Sequence, residues 1–71
     1  MKYYAIFRNK NIRKQFSFYT LEGLRESIDA DKFLTHDDFL FFENLFNLLM
    51  DNPAYEVSMK FYFATYKIVM K

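Results

Sequence analysis

The 71-residue chain has no cysteine and no tryptophan, and only one glycine, one proline and one histidine. Each shortage closes off a class of protein. Without cysteine there is no disulfide framework, no thiolate zinc site and no thiol nucleophile. A single glycine, Gly23, cannot build a phosphate cradle, and no G-x-S-x-G or Walker-type loop is present. His36 stands beside Asp37 and Asp38, but adjacent residues on a helix do not converge on one point, and zinc needs three or four ligands. The carboxylates show no spacing that singles out an acid/base pair. No catalytic, cofactor-binding or metal-binding residue is therefore nominated, and a non-enzymatic role is expected. The scarcity of Gly and Pro also argues against linkers and long loops, so one domain spanning residues 1–71 and made mostly of regular structure is expected.

Long apolar runs are missing too. The longest uncharged stretches, 15–21 and 44–50, fall far short of the roughly 18 residues that a membrane span requires. No membrane partner is expected. Arg8 interrupts the first apolar stretch, no signal peptide is visible, and a cytoplasmic location follows as the default.

What the chain does have is apolar bulk. Hydrophobic residues make up 52% and aromatics 23%, with ten Phe and six Tyr. Domains this short have marginal cores, and large aromatic side chains compensate for the missing staples. Lys, Asn, Phe, Tyr and Ile are all abundant and use A/T-rich codons.

The net charge of +1 hides a partition. Residues 1–20 carry five cations and no acid; residues 21–56 carry nine acids against Arg25 and Lys32; residues 57–71 carry three lysines. Such blocks either become charged faces of the fold or neutralise one another within it.

Residues 2–8 are aromatic and β-branched and read as a strand. Asn9-Lys10-Asn11 is a break of hairpin length, with asparagines that tolerate a left-handed turn. Residues 12–19 alternate: Ile12, Lys14, Phe16 and Phe18 point one way, and Arg13, Gln15, Ser17 and Tyr19 the other. Thr20 suits the N-cap of a helix beginning at Leu21, with Leu24 and Ile28 on one face. Thr35 suits a second N-cap, and Asp37 and Asp38 favour the helix N-terminus electrostatically. That second helix ends near Asn52-Pro53. Leu40 is its odd member, lying inside an arc of polar residues.

Residues 54–71 are rich in strand formers, but no Gly, Pro or Asn is available to fold one long strand back. In helical projection Glu56, Lys60, Lys67 and Lys71 cluster within an arc of about 60°. Asn52-Pro53 would serve as a helix start. The reading is an α+β fold, β-β-α-α-α, with a hairpin packed on helices. The alternative is β-β-α-α-β, with the last segment a bent third strand, because a lone hairpin is marginal.

Two functions follow. Apolar residues exceed what so small a core can easily cover, and leftover apolar surface marks protein contacts. The expected function is thus a protein-binding module, or a homodimer associating through the second or third helix, with Leu40 as a candidate anchor. Size and composition resemble phage and mobile-element products that act as inhibitors or adaptors of a host protein. The alternative is nucleic-acid binding through the hairpin, where Arg8, Lys10, Arg13 and Lys14 cluster among amide side chains and aromatics.

Overall fold

The computed structural model describes residues 1–70. Its elements run β1 (Tyr3–Asn9), β2 (Ile12–Phe18), α1 (Leu21–Ala30), α2 (His36–Asp51), β3 (Glu56–Phe61) and β4 (Ala64–Met70). The four strands form one antiparallel sheet in the order β2-β1-β4-β3, so β1 and β4 are central and β2 and β3 are edges. Both helices pack on one face of that sheet, and among the described residues no helix is long and apolar enough to cross a membrane.

The N-terminal hairpin forms where the alternation places it. Its loop is Lys10-Asn11, and Lys10 rather than an asparagine takes the left-handed conformation, with φ 51°. The alternation of β2 is obeyed: Phe18 is buried and Ile12 and Phe16 are half-buried toward the helices, while Arg13, Gln15 and Ser17 are exposed. Thr20 caps α1 through a hydrogen bond from the Gly23 backbone N–H to its side-chain oxygen, 3.2 Å. Thr35 and Asp38 form a capping box on α2, with the Thr35 N–H donating to the Asp38 carboxylate over 2.8 Å.

The core lies between the two layers. Phe42, Leu24, Ile28, Leu45, Leu49 and Ile68 are completely or almost completely buried. The α2 residues among them recur at three- and four-residue spacing, as a helix packed on a sheet requires. Tyr3, Phe18 and Phe46 pack together at one end of this core, with Tyr3 stacked 5.5 Å from Phe18 and edge-on 5.0 Å from Phe46. Tyr66 sits among Phe7, Phe41 and Phe42 at the other end.

Among the described residues there is no third helix and no single bent strand: residues 56–70 form a second hairpin. Asn52 ends α2 instead of starting a helix, its N–H bonding back to the Leu48 carbonyl over 2.9 Å. The chain reverses at Tyr62-Phe63 without glycine, proline or asparagine, because Tyr62 itself enters the left-handed region at φ 55°. The clustered charges have a second explanation. In one continuous strand, Glu56, Lys60 and Lys67 would divide between faces. A two-residue turn shifts the alternation, so even positions of β3 align with odd positions of β4: Glu56 opposite Val69, Ser58 opposite Lys67, Lys60 opposite Thr65. All three charges then share one face of the sheet. Lys71, the fourth charge of that arc, lies outside the described residues.

Candidate functional site

The helices leave the other face of the sheet uncovered. Reading across β2, β1, β4 and β3, the register aligns three rows there. Nearest the two hairpin tips stand Arg13, Arg8, Thr65 and Lys60; next come Gln15, Ile6, Lys67 and Ser58; farthest are Ser17, Tyr4, Val69 and Glu56. Tyr4, Ile6 and Val69 are half-buried, and they make a small apolar centre bordered by cations and hydrogen-bonding side chains. The Lys2 ammonium adds a further cation, 5.6 Å from the Tyr4 ring centroid.

Charge is divided between the two layers. Eight of the nine acids lie between Glu22 and Asp51, in the helices and their connection. The ninth, Glu56, is the one acid in the three rows, and it reaches Lys67 at 3.6 Å. The charge blocks of the chain have therefore become faces of the fold. Arg8 and Arg13 are directly opposite each other across β1 and β2, and the Arg13 guanidinium donates to the Gln15 amide oxygen, at 3.3 Å. Like charges placed opposite in a sheet cost stability.

The tips at the same end are aromatic and basic. Phe61 is 44%, Tyr62 82% and Phe63 73% exposed. The Lys10 ammonium lies 5.3 Å from the Phe63 ring centroid, so the two hairpin loops touch. Tyr62 combines a left-handed backbone with a solvent-facing ring, a costly placement for an aromatic residue.

The candidate residues do not stay together. Arg8 and Arg13 lie on the open face, and Lys10 lies at the tip. Lys14 belongs to the helical side, where its ammonium is 3.2 Å from the Asp31 carboxylate. Leu40 is 40% exposed on α2, beside a groove formed with Phe41, Phe61 and Tyr66. Lys60 and Lys67 were missed as partners of Arg8 and Arg13. Their signal was present in the spacing of residues 56, 60 and 67, but it reads correctly only when the turn at 62–63 is known.

Asp38 and Asp31 tie the helical layer to the sheet, through Tyr66 and Lys14 respectively. The Tyr66 hydroxyl donates to the Asp38 carboxylate at 2.5 Å; burial first, and then this hydrogen bond, push the phenol well above its ordinary value. Asp31 accepts from the Phe33 and Leu34 N–H groups at 2.7 and 3.2 Å. The Phe33 bond above all, with the Leu34 bond and Lys14, outweighs the effect of burial and lowers the Asp31 carboxyl below 3.8. Both groups are structural in position, away from the open face. Among the described residues no group of His, Cys, Asp or Glu side chains is arranged to hold a metal, and His36 leans on the Phe39 ring at 5.9 Å. Comparison with protein-family models, with curated proteins and with solved structures finds no match to this chain.

Proposed function

We propose that the protein is a non-enzymatic binding module that takes single-stranded nucleic acid on the open face of its sheet. The observation that carries this reading is the separation of charge, with Arg8, Arg13, Lys60 and Lys67 on the open face and almost all acids on the helical layer. Single-stranded nucleic acids bind where a cationic track supplies phosphate contacts and aromatic rings supply stacking. Tyr62 and Phe63 offer two exposed rings at the end of the track. Gln15, Ser17, Ser58 and Thr65 add hydrogen-bonding groups between the cations. The acidic layer on the far side would keep a polyanion from binding there and would orient its approach.

Fluorescence anisotropy with labelled single-stranded RNA and DNA tests the reading. Four phosphate contacts predict an affinity loss of about fiftyfold between about 50 mM and about 200 mM salt. Replacing Arg8, Arg13, Lys60 and Lys67 with Ser should abolish binding, and Lys14→Ser should leave it almost unchanged. Absence of binding at the lower salt concentration, or binding indifferent to salt, would overturn it.

A second reading, a protein-binding module such as an inhibitor or adaptor of a host protein, is favoured by the exposed aromatics Phe61, Tyr62 and Phe63. Capture of a nuclease-resistant protein partner that is lost in Tyr62→Ser/Phe63→Ser, but kept in the four-cation variant, would decide for it.

A further inference from the structure

We infer that the β3 edge strand is a self-pairing surface, on which a second copy of this chain docks antiparallel about a two-fold axis at Ser58. The argument starts from which backbone groups of β3 are unused. The Met70 N–H donates to the Tyr55 carbonyl over 3.1 Å, and the register pairs Val57 with Ile68, Met59 with Tyr66 and Phe61 with Ala64. Antiparallel bonding alternates along a strand, so residues 55, 57, 59 and 61 turn their backbone groups toward β4. Glu56, Ser58 and Lys60 therefore present theirs to the open edge. A new antiparallel ladder must join these even positions to even positions of the partner strand.

Few registers satisfy that condition, and the charges choose among them. Centring on Glu56 or on Lys60 sets like charges opposite each other, which is destabilising, and centring on Val57 or on Met59 leaves Glu56 and Lys60 opposite uncharged residues. Centring between them, on Ser58, sets Glu56 opposite Lys60 of the second copy, twice, and engages every free backbone group from residue 56 to residue 60. The same register places Val57 against Met59 on the helical side, and Tyr55 against Phe61. Val57 and Met59 are half-buried, whereas Tyr55 is 80% and Phe61 44% exposed, so the pairing also covers apolar surface that the monomer leaves open. The result is a continuous eight-stranded sheet with all four helices on one side, a closed two-fold assembly that leaves only the β2 edges free. The β2 edge does not have this property. Its outward residues are Arg13, Gln15 and Ser17, no acid stands among them, and neighbouring Lys14 adds a further positive charge. Cationic edges of that kind resist pairing.

This assembly replaces association through a third helix, which the fold lacks. It makes no use of nucleic acid, so its test is independent of the function proposed above. Sedimentation velocity on the full chain should show a dimer at about 100 μM. Glu56→Lys and Lys60→Glu should each weaken association about tenfold or more, because each turns both cross-strand pairs into like-charge pairs. Mixed in equal amounts, the two variants should recover the dimer, since each then meets its opposite charge. Ser58→Pro should give a folded monomer, because its lost N–H faces the open edge and serves no bond within the chain. Ser58→Cys should cross-link on mild oxidation, as opposed residues of a bonded pair lie about 5.5 Å apart between α-carbons, within disulfide reach. A wild-type chain that remains monomeric at that concentration would overturn the inference. So would single charge variants that fold, by circular dichroism, and dimerise as well as wild type, or a mixture that fails to recover association.

Discussion

The two hairpins share a plan and differ in chemistry. Each joins two antiparallel strands through a two-residue loop, Lys10-Asn11 in the first and Tyr62-Phe63 in the second, and each loop opens on a residue with positive φ. The first hairpin has a polar loop and an outer strand guarded by Arg13 and Lys14. The second has an aromatic loop and an outer strand with one acid and one base. Polar loops and charged edges are what local preference and solubility favour. Aromatic residues held in a left-handed, exposed turn go against local preference, and departures of that kind concentrate at sites that meet a partner. The contrast is the reason we propose the second hairpin, and the face it shares with the first, as the part of the molecule that meets a partner.

Cutting into the strands should separate the hairpins most sharply. Ile68, in central strand β4, is completely buried, whereas Ile12, at the start of edge strand β2, is only half-buried. Ile68→Ala should cost about 2–5 kcal/mol, enough to threaten a small domain. Ile12→Ala should cost about 1 kcal/mol. Urea unfolding of both variants measures the difference, and equal losses would mean that the sheet is not organised around β1 and β4.

The next largest effect concerns the bond that ties the second hairpin to α2. Tyr66→Phe removes the hydroxyl from Asp38 and should cost about 1–2 kcal/mol near neutral pH. The pH dependence has a definite sign. A phenol raised by burial and by a carboxylate contributes stability that is fully present below 10.0 and lost as the solution becomes more alkaline. Wild type should therefore lose its advantage over Tyr66→Phe above that value, in thermal melts across the alkaline range.

Relaxing the loops sharpens the comparison further. Glycine accepts positive φ without the side-chain clash, so Lys10→Gly should stabilise by about 0.5–1 kcal/mol. Tyr62→Gly should gain less, because the Tyr62 ring also packs edge-on against Phe61 at 4.5 Å. If the aromatic tip contacts a partner, Tyr62→Gly should keep or raise the melting temperature and still weaken binding. Binding unaffected in that variant would remove the tip from the site.

The smallest effect is expected at the tie of the first hairpin. Lys14 and Asp31 form an ion pair near the surface, and pairs of that kind contribute little. The lowered Asp31 carboxyl contributes stability present above 3.8 and lost as pH falls through its folded value. Asp31→Asn should be slightly less stable than wild type at pH 7, with the gap narrowing as the pH is taken below 3.8. Urea midpoints at pH 7 and along an acid series check this.

How much of this was legible in the chain varies along its length. The first hairpin and the caps at Thr20 and Thr35 rest on interactions within a few residues, and they stand where pattern and capping chemistry place them. Of the candidate site, Arg8 and Arg13 were legible because they sit on either side of a loop that pattern alone identifies. Lys14 was drawn in by proximity in sequence, although alternation places it on the helical side with Asp31.

By itself, then, the sequence determined an α+β fold with a basic N-terminal hairpin, two capped helices and an aromatic core, because each depends on local periodicity and local hydrogen bonds. Only the tertiary structure decided the state of residues 56–70. Glu56, Lys60 and Lys67 satisfy a helical arc and a folded hairpin equally well. What separates the two is that β1 has a second edge to fill, and β4 fills it from Tyr3 opposite Met70 to Asn9 opposite Ala64. Backbone groups of a central strand must be paired on both sides, and that demand acts between residues some sixty positions apart. Satisfying it holds Tyr62 in a conformation that no local rule assigns to tyrosine. It also brings Lys60 and Lys67 onto the same open face as Arg8 and Arg13.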